Sequence, residues 1–227
     1  MKPDRMRLGA RLVLAVAIAG VALLATATSA RADTFNLASC HISTGCPIAG
    51  TIFGTVTLTQ AGANVNFSVV LNNGSRFVET GAGGGSLFLF NDSVAGSTIT
   101  NIATSPNTPA GGLTGLTNQP PIMADGTGTF TAAVQCTVAG DCNGGSAPVM
   151  NSLTFTVTNA TLAQLETANA NGNVFVADIL CGATVTGCAG QTGPVDATVA
   201  IPDGGTTVTL LGFALVGLES LRRRLRA

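Results

Sequence analysis

The chain of 227 residues has room for one ordinary domain plus processing segments, or for two very small domains. It has no Trp, no Tyr and 29 Gly, and its abundance of Thr, Ala, Val and Asn suits short strands and tight turns rather than a helical bundle. Its net charge of −1 conceals an asymmetry: between residues 33 and 200 eight acids face the single Arg76, a net charge of −7, and so acidic a body excludes a nucleic-acid surface.

The chain opens with a basic segment (Lys2, Arg5, Arg7, Arg11), followed by an uncharged, mostly apolar run from Leu12 to about Ala27. Ala30-Arg31-Ala32 then places small residues at the two positions a signal peptidase reads. These parts predict a secretory signal peptide over residues 1–32, cut after Ala32 so that Asp33 becomes the mature N-terminus.

Alternation of apolar and polar residues marks the next stretch as strands. Thr55–Thr59 and Asn64–Leu71 flank Ala61-Gly62-Ala63 and predict a hairpin, and Asn72-Asn73-Gly74 predicts a tight turn before Phe77-Val78. Leu87–Phe90 is continuously apolar and predicts an interior strand. Residues 104–121 hold four prolines and three glycines and predict a long irregular surface loop. Thr127–Thr131 and Leu153–Val157 alternate again. Thr161–Glu166 opens with a cap candidate and good helix formers, predicting a short helix over about 161–169. Val174–Ile179 is the last predicted strand. The whole predicts an all-β fold: a single jelly-roll-like β-sandwich over 33–200 with one short helix, between the signal peptide and a C-terminal transmembrane sorting helix.

Six cysteines lie in this middle stretch as three close pairs, Cys40/Cys46, Cys136/Cys142 and Cys181/Cys188. An even number in an exported chain argues for disulfides; 15 connectivities are open, and the turn residues between the members of each pair favour the three local bridges. Zinc sites favour gaps of two to four residues and His partners, whereas these gaps are five, five and six. His41 is the only histidine, so a Ser–His–Asp triad would have to use it, and no nucleophile elbow is present. Asp125 and Asp141 sit in Gly-flanked loops that could take Ca²⁺ but lack an EF-hand rhythm. Asp178 interrupts an apolar strand and reads as structural. No cofactor is called for.

The C-terminal segment carries the most specific signal. Ile201-Pro202-Asp203-Gly204-Gly205 is followed by an apolar stretch over 206–221 and a basic tail over 222–227 that contains Arg222, Arg223 and Arg224. As a helix the 16-residue stretch would be about 24 Å long, a tolerable span when terminal arginines snorkel. The arginines place the tail in the cytoplasm and the domain outside. This end resembles the PEP-CTERM sorting signals, in the variant whose motif runs Val-Pro-Asp-Ser-Gly or Val-Pro-Asp-Gly-Gly, with Ile201 where Val is usual. The resemblance implies recognition by an exosortase at Pro202, Asp203 and Gly204. Glu219 departs from the usual apolar run. A second, softer resemblance is to PEP-CTERM ectodomains, carried by Gly54–Thr59, Asn72–Val78 and Phe175–Ile179.

Together these features predict an exported, exosortase-processed, non-catalytic surface or matrix protein linked to exopolysaccharide and biofilm. It would be held at the inner membrane as an intermediate and then placed at the cell surface or outside the cell. Its expected partners are signal peptidase, exosortase, the membrane through the C-terminal segment, and exopolysaccharide. A carbohydrate- or calcium-binding adhesin module is the alternative, and a secreted hydrolase with paired carboxylates ranks third.

Overall fold

The computed structural model describes residues 31–42, 45–46, 49–138, 140–198, 200–201, 212 and 216. The chain divides into two units, residues 1–31 and 32–227. The predicted signal peptide lies outside the described residues except for Arg31 and Ala32. Of the predicted membrane segment only residues 212 and 216 are described, and no helix among the described residues is long and apolar enough to cross a membrane.

Strands dominate the second unit. The first half of the chain gives β1 (Ala32–Leu37), β2 (Ser39–Cys40), β3 (Gly54–Ala61), β4 (Asn64–Leu71), β5 (Arg76–Phe77), β6 (Phe88–Phe90) and β7 (Ile99–Pro106). The second half gives β8 (Leu113–Leu116), β9 (Ile122–Ala124), β10 (Gly128–Phe130), β11 (Ala132–Cys136) and β12 (Met150–Val157). A four-residue α-helix, α1 (Leu162–Leu165), precedes β13 (Phe175–Leu180), β14 (Thr192–Ala197) and β15 (Ala200–Ile201). The first sheet runs β15-β1-β3-β4-β12-β7, the second β2-β14-β13-β6-β11-β8 with β5 also on β13, and β10 and β9 pair as a two-stranded third; neither large sheet closes on itself.

The first sheet obeys the period of two. Phe35, Val56, Leu58, Val65, Phe67 and Phe155 are buried, while their neighbours in sequence point the other way. The antiparallel register aligns these outward residues into rows across the strands. One row reads Thr34, Thr57, Ser68, Thr154 and Ala103. Beside it run Ala32, Thr59, Asn66, Thr156 and Thr100, and on the other side Asn36, Thr55, Val70, Ser152 and Ser105.

The centre of the second sheet, β6 and β13, is buried on both faces, which is why Leu87–Phe90 reads as a continuous apolar run. Phe88, Phe90 and Phe175 meet the core side chains of the first sheet, whereas Leu89, Ala133 and Val176 pack beneath Ala124 and Phe130 of the β9–β10 hairpin. Phe67 lies within 4.4 to 6.3 Å, centroid to centroid, of Phe88, Phe90, Phe155 and Phe175.

The predicted hairpin forms as β3–β4 around Gly62-Ala63. Asn73 and Gly74 both take positive φ (55° and 72°), the conformation an Asn-Gly pair favours, and turn the chain into β5. Three expectations need correction. Residues 104–121 are not one loop: β7 runs to Pro106 and β8 covers 113–116, each at the edge of its sheet, where a missing proline N–H forfeits little. The helix is four residues rather than nine. A capping box (Thr161 N–H to Gln164 Oε1, 2.9 Å) starts it, and the Asn-rich chain beyond turns away. There Asn169 and Asn173 both donate to the Thr127 carbonyl, and Asn169 Oδ1 accepts from the backbone of Asn171 and Asn173. Nor is β13 the last strand, because β14 and β15 follow it.

Truncating the ring at the centre of this core should be costly. Phe67→Ala is expected to lower the unfolding free energy by about 3–5 kcal/mol, whereas Thr57→Ala on the outer face should stay within about 0.5 kcal/mol of the parent. Urea denaturation of the oxidised protein checks both.

Candidate functional site

The predicted sorting motif begins inside the first sheet. β15 pairs antiparallel with β1, Thr34 opposite Ile201 and Phe35 opposite Ala200. β15 spans Ala200–Ile201, so the described strand ends on the residue before the motif's Pro-Asp. Pro202, Asp203, Gly204 and Gly205 lie outside the described residues, as do Arg222, Arg223 and Arg224. At the other end β1 opens at Ala32, opposite Thr59, and Asp33 stands opposite Leu58 with 9% of its surface exposed. The bond between Ala32 and Asp33 therefore lies within a paired strand, and the strands extend one residue beyond each end of the 33–200 span. Ala30 lies outside the described residues.

The three local disulfides form: Cys40–Cys46, Cys136–Cys142 and Cys181–Cys188, with Cα–Cα distances of 5.8, 6.2 and 5.8 Å. Glu79 reaches the second bridge. Its carboxylate accepts from the Cys136 N–H, its own N–H donates to the Cys142 carbonyl (2.7 Å), and its oxygen and the two sulfurs lie within 4.8 Å of one another. As a trio of donor atoms this has metal-site dimensions, but sulfurs bonded to each other are not thiolate ligands. Burial pushes the Glu79 carboxyl above its ordinary range; the Cys136 N–H opposes that shift, and nearby Asp141 adds to it.

His41 has company that the sequence did not suggest. Asp196 of β14 lies opposite Ser39 of β2, which sets Ser39 Oγ 3.2 Å and Asp196 Oδ2 2.7 Å from the imidazole. Both approach the same nitrogen, Nε2. A catalytic relay needs the acid on one ring nitrogen and the nucleophile on the other, so that the second nitrogen can take the hydroxyl proton. Here a proton on Nε2 serves the carboxylate, and Ser39 is left without a base. Asp196 is 1% exposed, and burial raises its pKa against the opposing pull of His41 and Ser39. No local motif marks this trio, because the partners lie 155 residues apart and only the β2–β14 pairing unites them.

Asp178 is structural, as its apolar strand suggested. It is fully buried on β13, and its Oδ2 accepts from both the N–H and the hydroxyl of Thr80 at 2.6 Å. Gly83 closes over it so tightly that a Cβ there would stand 2.5 Å from the Asp178 side chain. Burial lifts its pKa to about 6, with the Thr80 and Gly83 hydrogen bonds holding it down and Glu79 adding to it. Asp125 and Asp141 tie loops instead of sharing a site: the Asp125 N–H donates to the Ala82 carbonyl, and Asp141 Oδ2 accepts from the Gly111 N–H. A cavity of about 160 Å³ beside the Cys40–Cys46 bridge is small against the roughly 300–1,000 Å³ of small-molecule sites.

The fold and these ends define the class: a β-rich, disulfide-bonded domain whose last strand passes directly into a C-terminal sorting segment. Residues 200–225 match the VPDSG-CTERM motif, a PEP-CTERM-like exosortase sorting signal. The motif implies processing by an exosortase and a destination at the cell surface or outside the cell. Comparison with curated proteins gives no match, and neither does comparison with solved structures.

Asp178 makes a pH prediction. With a folded pKa near 6 against an ordinary 3.8, the folded state holds more protons than the unfolded state between those values. Stability from this group is therefore greatest below pH 3.8 and falls as pH rises to about 6. The loss is at most about 3 kcal/mol at about 1.4 kcal/mol per unit. Asp178→Asn keeps an acceptor for Thr80 and should flatten that slope and melt higher than the parent at pH 8, as thermal melts across pH will read.

Proposed function

We propose that the chain is an exported surface or extracellular-matrix protein, non-catalytic, that is held briefly at the inner membrane, cut by an exosortase, and deployed beside exopolysaccharide in a biofilm. The observation that carries this reading is the sorting motif over residues 200–225, which begins on the last strand of the domain. The layout of the chain supports it: a basic and apolar N-terminal leader ending at Ala30-x-Ala32, an acidic middle, and the apolar segment and arginine cluster after Gly205. We read the two sheets as a jelly-roll-like β-sandwich, on the strength of the phenylalanine contacts between them.

The ends suggest an order of events. A signal peptidase acts on an extended, accessible peptide, and the Ala32–Asp33 bond, extended in β1, loses its accessibility once β1 pairs with β3. Removal of the leader thus precedes closure of the first sheet. Proline's fixed φ and missing N–H suit the motif's Pro202-Asp203 to reading as an extended peptide. The non-catalytic reading draws support from the crowding of Ser39 and Asp196 onto one ring nitrogen.

Intact-mass spectrometry of the protein from its native envelope and medium tests the reading. The expected product begins at Asp33, ends between Pro202 and Gly205, and gains two hydrogens per bridge on reduction. Asp203→Ala should leave Arg222–Ala227 attached. A parent protein that keeps those residues in both fractions would overturn the sorting step.

A further inference from the structure

We propose that the outer face of the first sheet binds an uncharged, hydroxyl-rich polysaccharide chain. This deepens the surface-protein reading and rests on it only for the compartment in which such a polymer is met.

The face is set by register. Of the fifteen outward positions that β1, β3, β4, β12 and β7 align in three rows, twelve are Thr, Ser or Asn, and the others are Ala32, Ala103 and Val70. None carries a charge, although the body holds seven net negative charges. Sheet geometry spaces the groups about 4.8 Å across strands and about 6.7 Å along them, over a patch roughly 20 Å wide. Some pair with each other: Thr34 Oγ1 lies 3.4 Å from Thr57 Oγ1, and Thr156 Oγ1 donates to Asn66 Oδ1 at 2.9 Å. Each hydroxyl offers one donor and two acceptor sites, so capacity remains after such a bond. β-branched Thr side chains are already stiff, so contact with a ligand costs them little further entropy.

The chemistry of the face selects its partner. Nucleic acid and anionic lipid require Lys or Arg, and the face has none. The centre of a protein interface is enriched in aromatics, Met and Arg, which are equally absent. A rigid planar solid would lose register across strands that each rotate roughly 20° from the last. What remains is a flexible, neutral chain whose own hydroxyls match the rows donor to acceptor and which the acidic body does not repel. The opposite sheet offers no equivalent surface, because the β9–β10 hairpin covers Leu89, Ala133 and Val176.

Affinity electrophoresis of the exported, oxidised protein in gels containing dextran, mixed-linkage β-glucan, galactomannan or alginate tests this. The expected result is retardation by at least one of the three neutral polymers, unchanged at high salt because no charges take part, and none by anionic alginate. Thr57→Lys, at the centre of the rows, should abolish the retardation, and Thr129→Lys on exposed β10 should leave it intact. If thermal melting shows that Thr57→Lys is unfolded, the Thr57→Ala/Thr154→Ala pair replaces it and should weaken the retardation. Migration unchanged in all three neutral gels overturns the proposal. So does retardation that survives the Thr57 substitutions in folded protein, retention by alginate alone, or shaping of ice crystals without glycan retention. Intact mass of the same sample reports the sorting step separately, so either idea can fail alone.

Discussion

Six phenylalanines from five strands, Phe35, Phe67, Phe88, Phe90, Phe155 and Phe175, form one contact network, and the fold depends on it. In a chain without Trp or Tyr these rings supply most of the aromatic area available for burial, and edge-to-face and offset pairs add about 0.5–1.5 kcal/mol each beyond that area. Three come from the first sheet and three from the second, so the network ties the sheets together. The first sheet can then leave its other face polar, while the second takes on a further layer, the β9–β10 hairpin.

Around that core three buried or half-buried acids are held by hydrogen bonds. Asp92 accepts from Val94 N–H and Ser97 Oγ, Asp178 from Thr80, and Glu79 from Cys136. Each thereby fixes a loop to the sheet in a protein with few cations to pair. The three disulfides serve the same end, closing loops of six or seven residues, each a constraint of about 2–3 kcal/mol on the unfolded chain. Rigid loops and a firm core suit a domain exposed outside the cell.

The ends of the domain meet. β1 and β15 are neighbours at one edge of one sheet, so the first described strand and the strand that carries the start of the sorting motif run side by side. The ladder that joins them, Thr34–Ile201 and Phe35–Ala200, includes the first residue of the sorting motif.

Much was legible in the sequence because it rests on local rules. Alternation in Thr55–Leu71, Asn73-Gly74 as a turn, the unbroken apolar Leu87–Phe90, the local cysteine pairs and the C-terminal motif each depend on neighbours in the chain. β7, β8 and β14 were hidden, since the prolines and glycines of 104–121 and Gly193-Pro194 look like loop until the sheets pair them with their neighbours. Only the tertiary structure brought Asp196 to His41 and Ser39, or gathered Thr57, Ser68 and Thr154 from three strands into one row. Strand register decides such neighbours, and register follows from which faces are buried together, a property of the assembled sheets that no local stretch of sequence contains.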